Sequence, residues 1–72
     1  MSKYAVAVDR FQKDLEVVIV NAPDEITAMV EAVGELDLWG IEDKMKPPFK
    51  TVDDGIDFYL QGDLAISRPV SI

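Results

Sequence analysis

Carboxylates are the main side chains in this sequence that could do chemistry. The chain has 72 residues, with 14 aspartates and glutamates, seven lysines and arginines, and no cysteine or histidine. Without thiolates or imidazoles, a metal site would have to use carboxylates, which suit Mg²⁺ or Ca²⁺. The densest cluster, Asp53, Asp54 and Asp57, lacks the alternating spacing of a calcium loop. Acids of this kind routinely occupy the first turn of a helix, so no metal or other cofactor is predicted.

Other catalytic arrangements have equally little support in the sequence. The three serines, Ser2, Ser67 and Ser71, have no histidine to activate them. The four glycines are isolated rather than grouped into a phosphate-binding loop. Chemistry by a carboxylate and a lysine is all that is left, and sequence alone cannot place such a pair. The chain is therefore predicted not to be an enzyme.

The elements that would position these side chains are those of one small α+β domain over residues 1–72. Residues 3–10 alternate like a strand, and residues 15–20 are apolar and largely β-branched. A helix is predicted to follow Pro23, capped by Asn21 or Ala22, and to end near Gly34 or Leu36. Thr51 resembles the cap of a second helix that stops at Gly62, and residues 64–67 resemble a third strand. The order β-β-α-loop-α-β predicts a three-stranded antiparallel sheet with both helices on one face.

The apolar pattern predicts which side chains form the core, and it leaves the second face of the sheet apolar too. The larger strand side chains are expected to face the helices, namely Tyr4, Val6, Val8, Leu15, Val17 and Ile19. The helix residues expected against them are Ile26, Met29, Val30, Val33, Ile56, Tyr59 and Leu60. The opposite face would then carry Ala5, Ala7, Val18, Val20 and Ala65, although a sheet face in water is normally polar. Either a homodimer or the loop over residues 37–50 would cover it.

Charge is distributed unevenly along the chain, which has a net charge of −7. Residues 24–43 contain seven acids and no base. This segment is either a solvated helix face or a surface that binds a larger protein. In the second case the carboxylates would take the place of nucleic-acid phosphates on the basic, nucleic-acid-binding surface of that larger protein. The residues predicted to contact such a partner are Asp24, Glu25, Glu31, Glu35, Asp37, Trp39, Glu42 and Asp43. Glu31 and Glu35 are four apart, a like-charge pair that a helix selected only for stability would seldom carry.

The long loop around Trp39 has two interpretations. Trp39 is either an interface anchor or, with Ile41 and Phe49, a lid over a thin core. The only basic cluster, Lys44, Lys46 and Lys50, lies beside acids, so direct nucleic-acid binding is not predicted.

The composition and the charge together lead to one favoured function and one alternative. The absence of cysteine and of a targeting or membrane segment indicates a cytoplasmic protein. The sequence favours an acidic protein-binding inhibitor or modulator, a class typical of phage accessory proteins. The alternative is a structural or assembly subunit that acts as a homo-oligomer.

Overall fold

A long hairpin forms the centre of the fold, because two β-branched strands are joined by a short polar turn. A computed structural model describes all residues, 1–72. Its elements in chain order are β1 (Ser2–Arg10), β2 (Glu16–Ala22), α1 (Glu25–Val33), α2 (Leu36–Trp39), α3 (Val52–Leu60), β3 (Leu64–Ile66) and β4 (Val70–Ser71). The sheet is antiparallel in the order β2-β1-β3, and β4 also pairs with β1. The predicted α+β fold is confirmed, whereas α2 and β4 were not predicted.

Each long helix begins at a side chain that caps its free backbone N–H groups. Asp24 caps α1 by accepting a hydrogen bond from the Thr27 N–H at 2.8 Å. The prediction of a cap at Asn21 or Ala22 is therefore wrong, and the helix starts two residues beyond Pro23. Thr51 caps α3 as predicted, accepting from the Asp54 N–H at 3.1 Å.

Helix α1 lies at the centre of the core and is buried along most of its length. The core comprises Val6, Val8, Met29, Val30, Ala32, Val33, Ile41, Phe49, Tyr59, Leu64 and Ile66. Of the predicted helix residues, Met29, Val30, Val33 and Tyr59 are buried. Leu60 is instead 55% exposed, which corrects the prediction that it packs against the sheet.

The face of strand β2 that packs against the helices is the opposite of the one predicted. In the pairing register, Val6 lies opposite Val18 and Tyr4 opposite Val20. Residues opposite each other in an antiparallel pair share a face, so Val18 and Val20 pack against the core. The remaining residues predicted to face the core are Leu15, just before β2, and Val17 and Ile19 within it, and they are 65%, 62% and 53% exposed. The prediction failed because β2 is apolar on both faces, and side-chain size alone does not choose between them.

Candidate functional site

The acidic segment 24–43 is divided by the fold into separate local roles. Glu31 forms an ion pair with Lys44 at 2.7 Å, and Glu35 forms one with Arg10 at 3.2 Å. Both bases come from outside the segment, one from the following loop and one from β1. Two of the four glutamates expected to bind a partner are thus engaged within the chain.

The other acids of the segment also differ in their surroundings. Asp24 is occupied as the α1 cap, and Asp43 accepts a hydrogen bond from the Met45 N–H at 2.9 Å. Glu25, Asp37 and Glu42 are exposed and take part in none of the chain's ion pairs. Because six of the nine residues of α1 are buried, no broad acidic helix face exists.

Lys44 and Glu31 lie over a depression between α1 and the following loop. Its lining consists of Val30, Glu31, Gly34, Leu36 and Lys44. The hydrogen bond from Lys44 to Glu31, together with the glutamate charge, raises the pKa of Lys44 above its usual value. The two charged groups therefore satisfy each other instead of offering a free cation or carboxylate to a ligand.

Trp39 lies in an aromatic cluster over the helices, as the lid interpretation predicts. Its ring centroid is 4.8 Å from that of Tyr59, edge to face, and 5.8 Å from that of Phe58. A Cβ atom at Gly62 would lie only 2.5 Å from the Trp39 ring, so the two residues are in close contact. The indole Nε1 of Trp39 and the hydroxyl of Tyr59 are buried without a hydrogen-bond partner. An interface role for Trp39 gains no support from this packing.

The outer face of the sheet, defined as the side away from the helices, is apolar and exposed. In β1 it carries Ala5 and Ala7, which lie opposite Ile19 and Val17 of β2, and Val70 of β4 lies beside Ala5. Ala5 and Ala7 are half-buried, whereas the residues that continue the face, Leu15, Ala65 and Ile72, are exposed. Ala5, Ala7 and Ala65 agree with the predicted outer set, whereas Val18 and Val20 are replaced there by Val17 and Ile19.

No helix or loop covers the outer face. The loop over residues 37–50 was one of two predicted covers, but Ile41 and Phe49 from this loop are buried in the helix-side core. Val17, Ile19 and Val70 are 62%, 53% and 58% exposed. Contiguous apolar surface of this kind commonly marks a protein–protein contact.

Two further properties bear on the candidate chemistry. No group of three or more acidic residues is arranged to hold a metal ion. None of the helices is long and apolar enough to cross a membrane.

In comparisons with known proteins, no protein-family model matches the chain, and no curated protein or solved structure is significantly similar to it.

Proposed function

We propose that this chain is a structural or assembly subunit that acts as a homo-oligomer, and that the outer face of its sheet is the contact surface. The observation that supports the proposal is the row of large aliphatic side chains that remain more than half exposed on this face. Sheets exposed to water normally alternate apolar with polar residues. A chain this short also buries only about 60% of its unfolded surface on folding, so burial against a second copy would add stability.

The size of the apolar contribution is compatible with concentration-dependent association. Leu15, Val17, Ile19 and Val70 are each 53–65% exposed. Completing the burial of such a side chain contributes roughly 1 kcal/mol, given about 1.5–3 kcal/mol for a fully exposed one. Four side chains in each of two copies give on the order of 8 kcal/mol before the cost of association, itself about 4–15 kcal/mol. Since the net contribution of these side chains is at most about 4 kcal/mol, we expect a dissociation constant in the millimolar range.

Sedimentation equilibrium over a range from about 10 µM to about 1 mM tests the proposal. The wild-type chain is expected to self-associate, and Val17→Lys or Ile19→Lys to remain a folded monomer, because a buried unpaired ammonium opposes the contact. Leu38→Lys is the matched control, since Leu38 is 76% exposed but lies outside the sheet. Circular dichroism checks that each variant folds.

Two results would contradict the proposal. One is a wild-type chain that is monomeric at every concentration tested. The other is self-association that Val17→Lys and Leu38→Lys reduce equally.

Binding to a larger protein with a basic surface is the second candidate function. The specific observation in its favour is that Glu25, Asp37 and Glu42 remain exposed and outside every ion pair. Reversing Glu31 and Glu35 would not test it cleanly, because both are paired within the chain.

Comparative capture from a host lysate gives a cleaner test of this second function. A partner that uses the acids should be lost when Glu25, Asp37 and Glu42 are all changed to Lys, and should weaken as salt is raised. The same partner should be retained by Val17→Lys. Equal capture by the triple variant and the wild type would refute a role for these acids.

A further inference from the structure

The outer face has a ridge next to a groove. The ridge is β2, whose Val17 and Ile19 are 62% and 53% exposed. The groove is β1, whose small side chains Ala5 and Ala7 lie directly beside them in the pairing register. On the other side of the groove, Val70 stands beside Ala5 and is 58% exposed. The ridge and the groove are therefore formed by adjacent strands.

Two copies can stack these faces in two simple ways. If the two-fold axis crosses the strands, each strand lies over the same strand of the second copy, and ridge meets ridge at a sheet separation of about 10 Å. The alanines of β1 then face each other across an unfilled gap. If the axis instead runs parallel to the strands, between β1 and β2, the copies are offset by one strand and each ridge fills the groove of the other. Close packing favours the second arrangement, because side chains that line a void lose their dispersion contacts.

We infer that a second copy seats its β2 over β1 of the first, about a two-fold axis parallel to these strands. Val17 then lies over Ala7 of the second copy and Ile19 over Ala5 of the second copy. The inference rests on the proposed function, since it specifies how the homo-oligomer is built. A two-fold contact of this kind uses the same patch on both copies and closes at a dimer.

The outer face carries no net charge, so a second copy can occupy it without repulsion at the contact. The chain as a whole carries a net charge of −7. By strand alternation, the charged residues that β1 contributes to the outer face are Lys3 and Asp9, near its two ends, and they cancel. Two strongly acidic chains can therefore meet here through a neutral patch. In the offset arrangement Lys3 lies over Asn21 of the second copy, because Lys3 and Asn21 are paired in register.

Exchanging the sizes of the ridge and groove residues tests the arrangement. Ala7→Val places a second bulky side chain where Val17 should seat, and it is expected to weaken dimerisation by at least about tenfold. Val17→Ala removes the ridge residue and is expected to weaken it as well. The double variant Ala7→Val with Val17→Ala restores one large and one small residue at each contact, so dimerisation should recover. Ala65→Val is the control, because Ala65 is exposed on the same side but lies on β3.

The dissociation constants are measured by sedimentation equilibrium, with circular dichroism to confirm folding. Valine favours a strand at least as well as alanine does, so Ala7→Val should not unfold the chain. Weakening by both single variants and recovery in the double variant support the inference. A tighter dimer with Ala7→Val would overturn it, because that is the result for grooves facing each other. If Val17→Lys gives a monomer but Ala7→Val changes nothing, the proposed function stands and this arrangement is wrong. A wild-type chain that stays monomeric would contradict both the proposed function and this arrangement.

Discussion

Gly55 lies where helix α3 touches the core, and it has no room for a side chain. A Cβ atom there would lie 2.6 Å from Met29 Cε and 2.7 and 2.8 Å from two atoms of the Phe49 ring. Met29 and Phe49 are both buried, at 0% and 5% exposure. The methionine terminus can turn aside because it is flexible. The Phe49 ring is less able to move, since it also packs against the rings of Phe58 and Tyr59.

We therefore expect Gly55→Ala to lower the free energy of unfolding by about 1–2 kcal/mol. Overpacking of a core usually costs about 1–3 kcal/mol, and replacing a helical glycine by alanine returns about 0.5–1 kcal/mol. The overpacking term is the larger one here because the contacts are below 3 Å. Urea unfolding followed by fluorescence of Trp39, the single tryptophan, measures the change.

A matched control and a double variant isolate the steric cause. Asp57→Ala adds the same residue to an exposed position of α3 and should be neutral or mildly stabilising. Phe49→Leu makes space beside Gly55, so the combination with Gly55→Ala should be less destabilised than the sum of the single variants. If Gly55→Ala is as stable as Asp57→Ala, the packing argument is refuted.

Three more predictions concern polar groups at the core. The Tyr59 hydroxyl is buried without a hydrogen-bond partner, so Tyr59→Phe should leave stability unchanged or raise it by about 1 kcal/mol near neutral pH. Burial raises the pKa of Tyr59 to about 12. The folded state therefore holds this proton more tightly, so the stability that the neutral hydroxyl contributes is complete below about pH 10 and is lost as the pH rises through about 12. Urea midpoints at rising pH should fall more steeply in the wild type and in Tyr4→Phe than in Tyr59→Phe, where Lys44, whose pKa is also raised, still contributes; an equal fall in all three would show that Tyr59 is not its cause. Arg10→Ala should cost about 1–3 kcal/mol in urea unfolding, because the Val33 carbonyl at the end of α1 loses a donor at 2.9 Å. Glu35→Gln removes only the partly exposed ion pair and should cost less than about 1 kcal/mol; equal costs for the two variants would contradict a role for the Val33 bond.

Local signals in the sequence located most of the elements. Thr51 was recognised as a cap because its hydroxyl can reach the N–H three residues on, and the structure has that bond. Gly34 was expected near the end of α1, and it is the C-cap at a positive φ of 67°. The short elements α2 and β4 were missed. Strand β4 has only two residues and follows Pro69, so it exists through pairing with β1 rather than through its own pattern.

The sequence by itself determined that this chain has an α+β fold with more apolar strand surface than two helices can cover. That conclusion needs only the spacing of apolar residues, since alternation and helical periodicity are local properties. Which face of β2 meets the helices was decided by the tertiary structure, because the pairing of Val6 with Val18 sets the register and turns Val17 and Ile19 outward. The acidic segment was divided in the same way. Its acids lie within one short stretch of sequence. Arg10 pairs with Glu35, and Lys44 with Glu31, only once β1 and the loop after α2 are packed beside α1. Contacts between distant parts of the chain depend on how the whole core fills, and no local pattern records that.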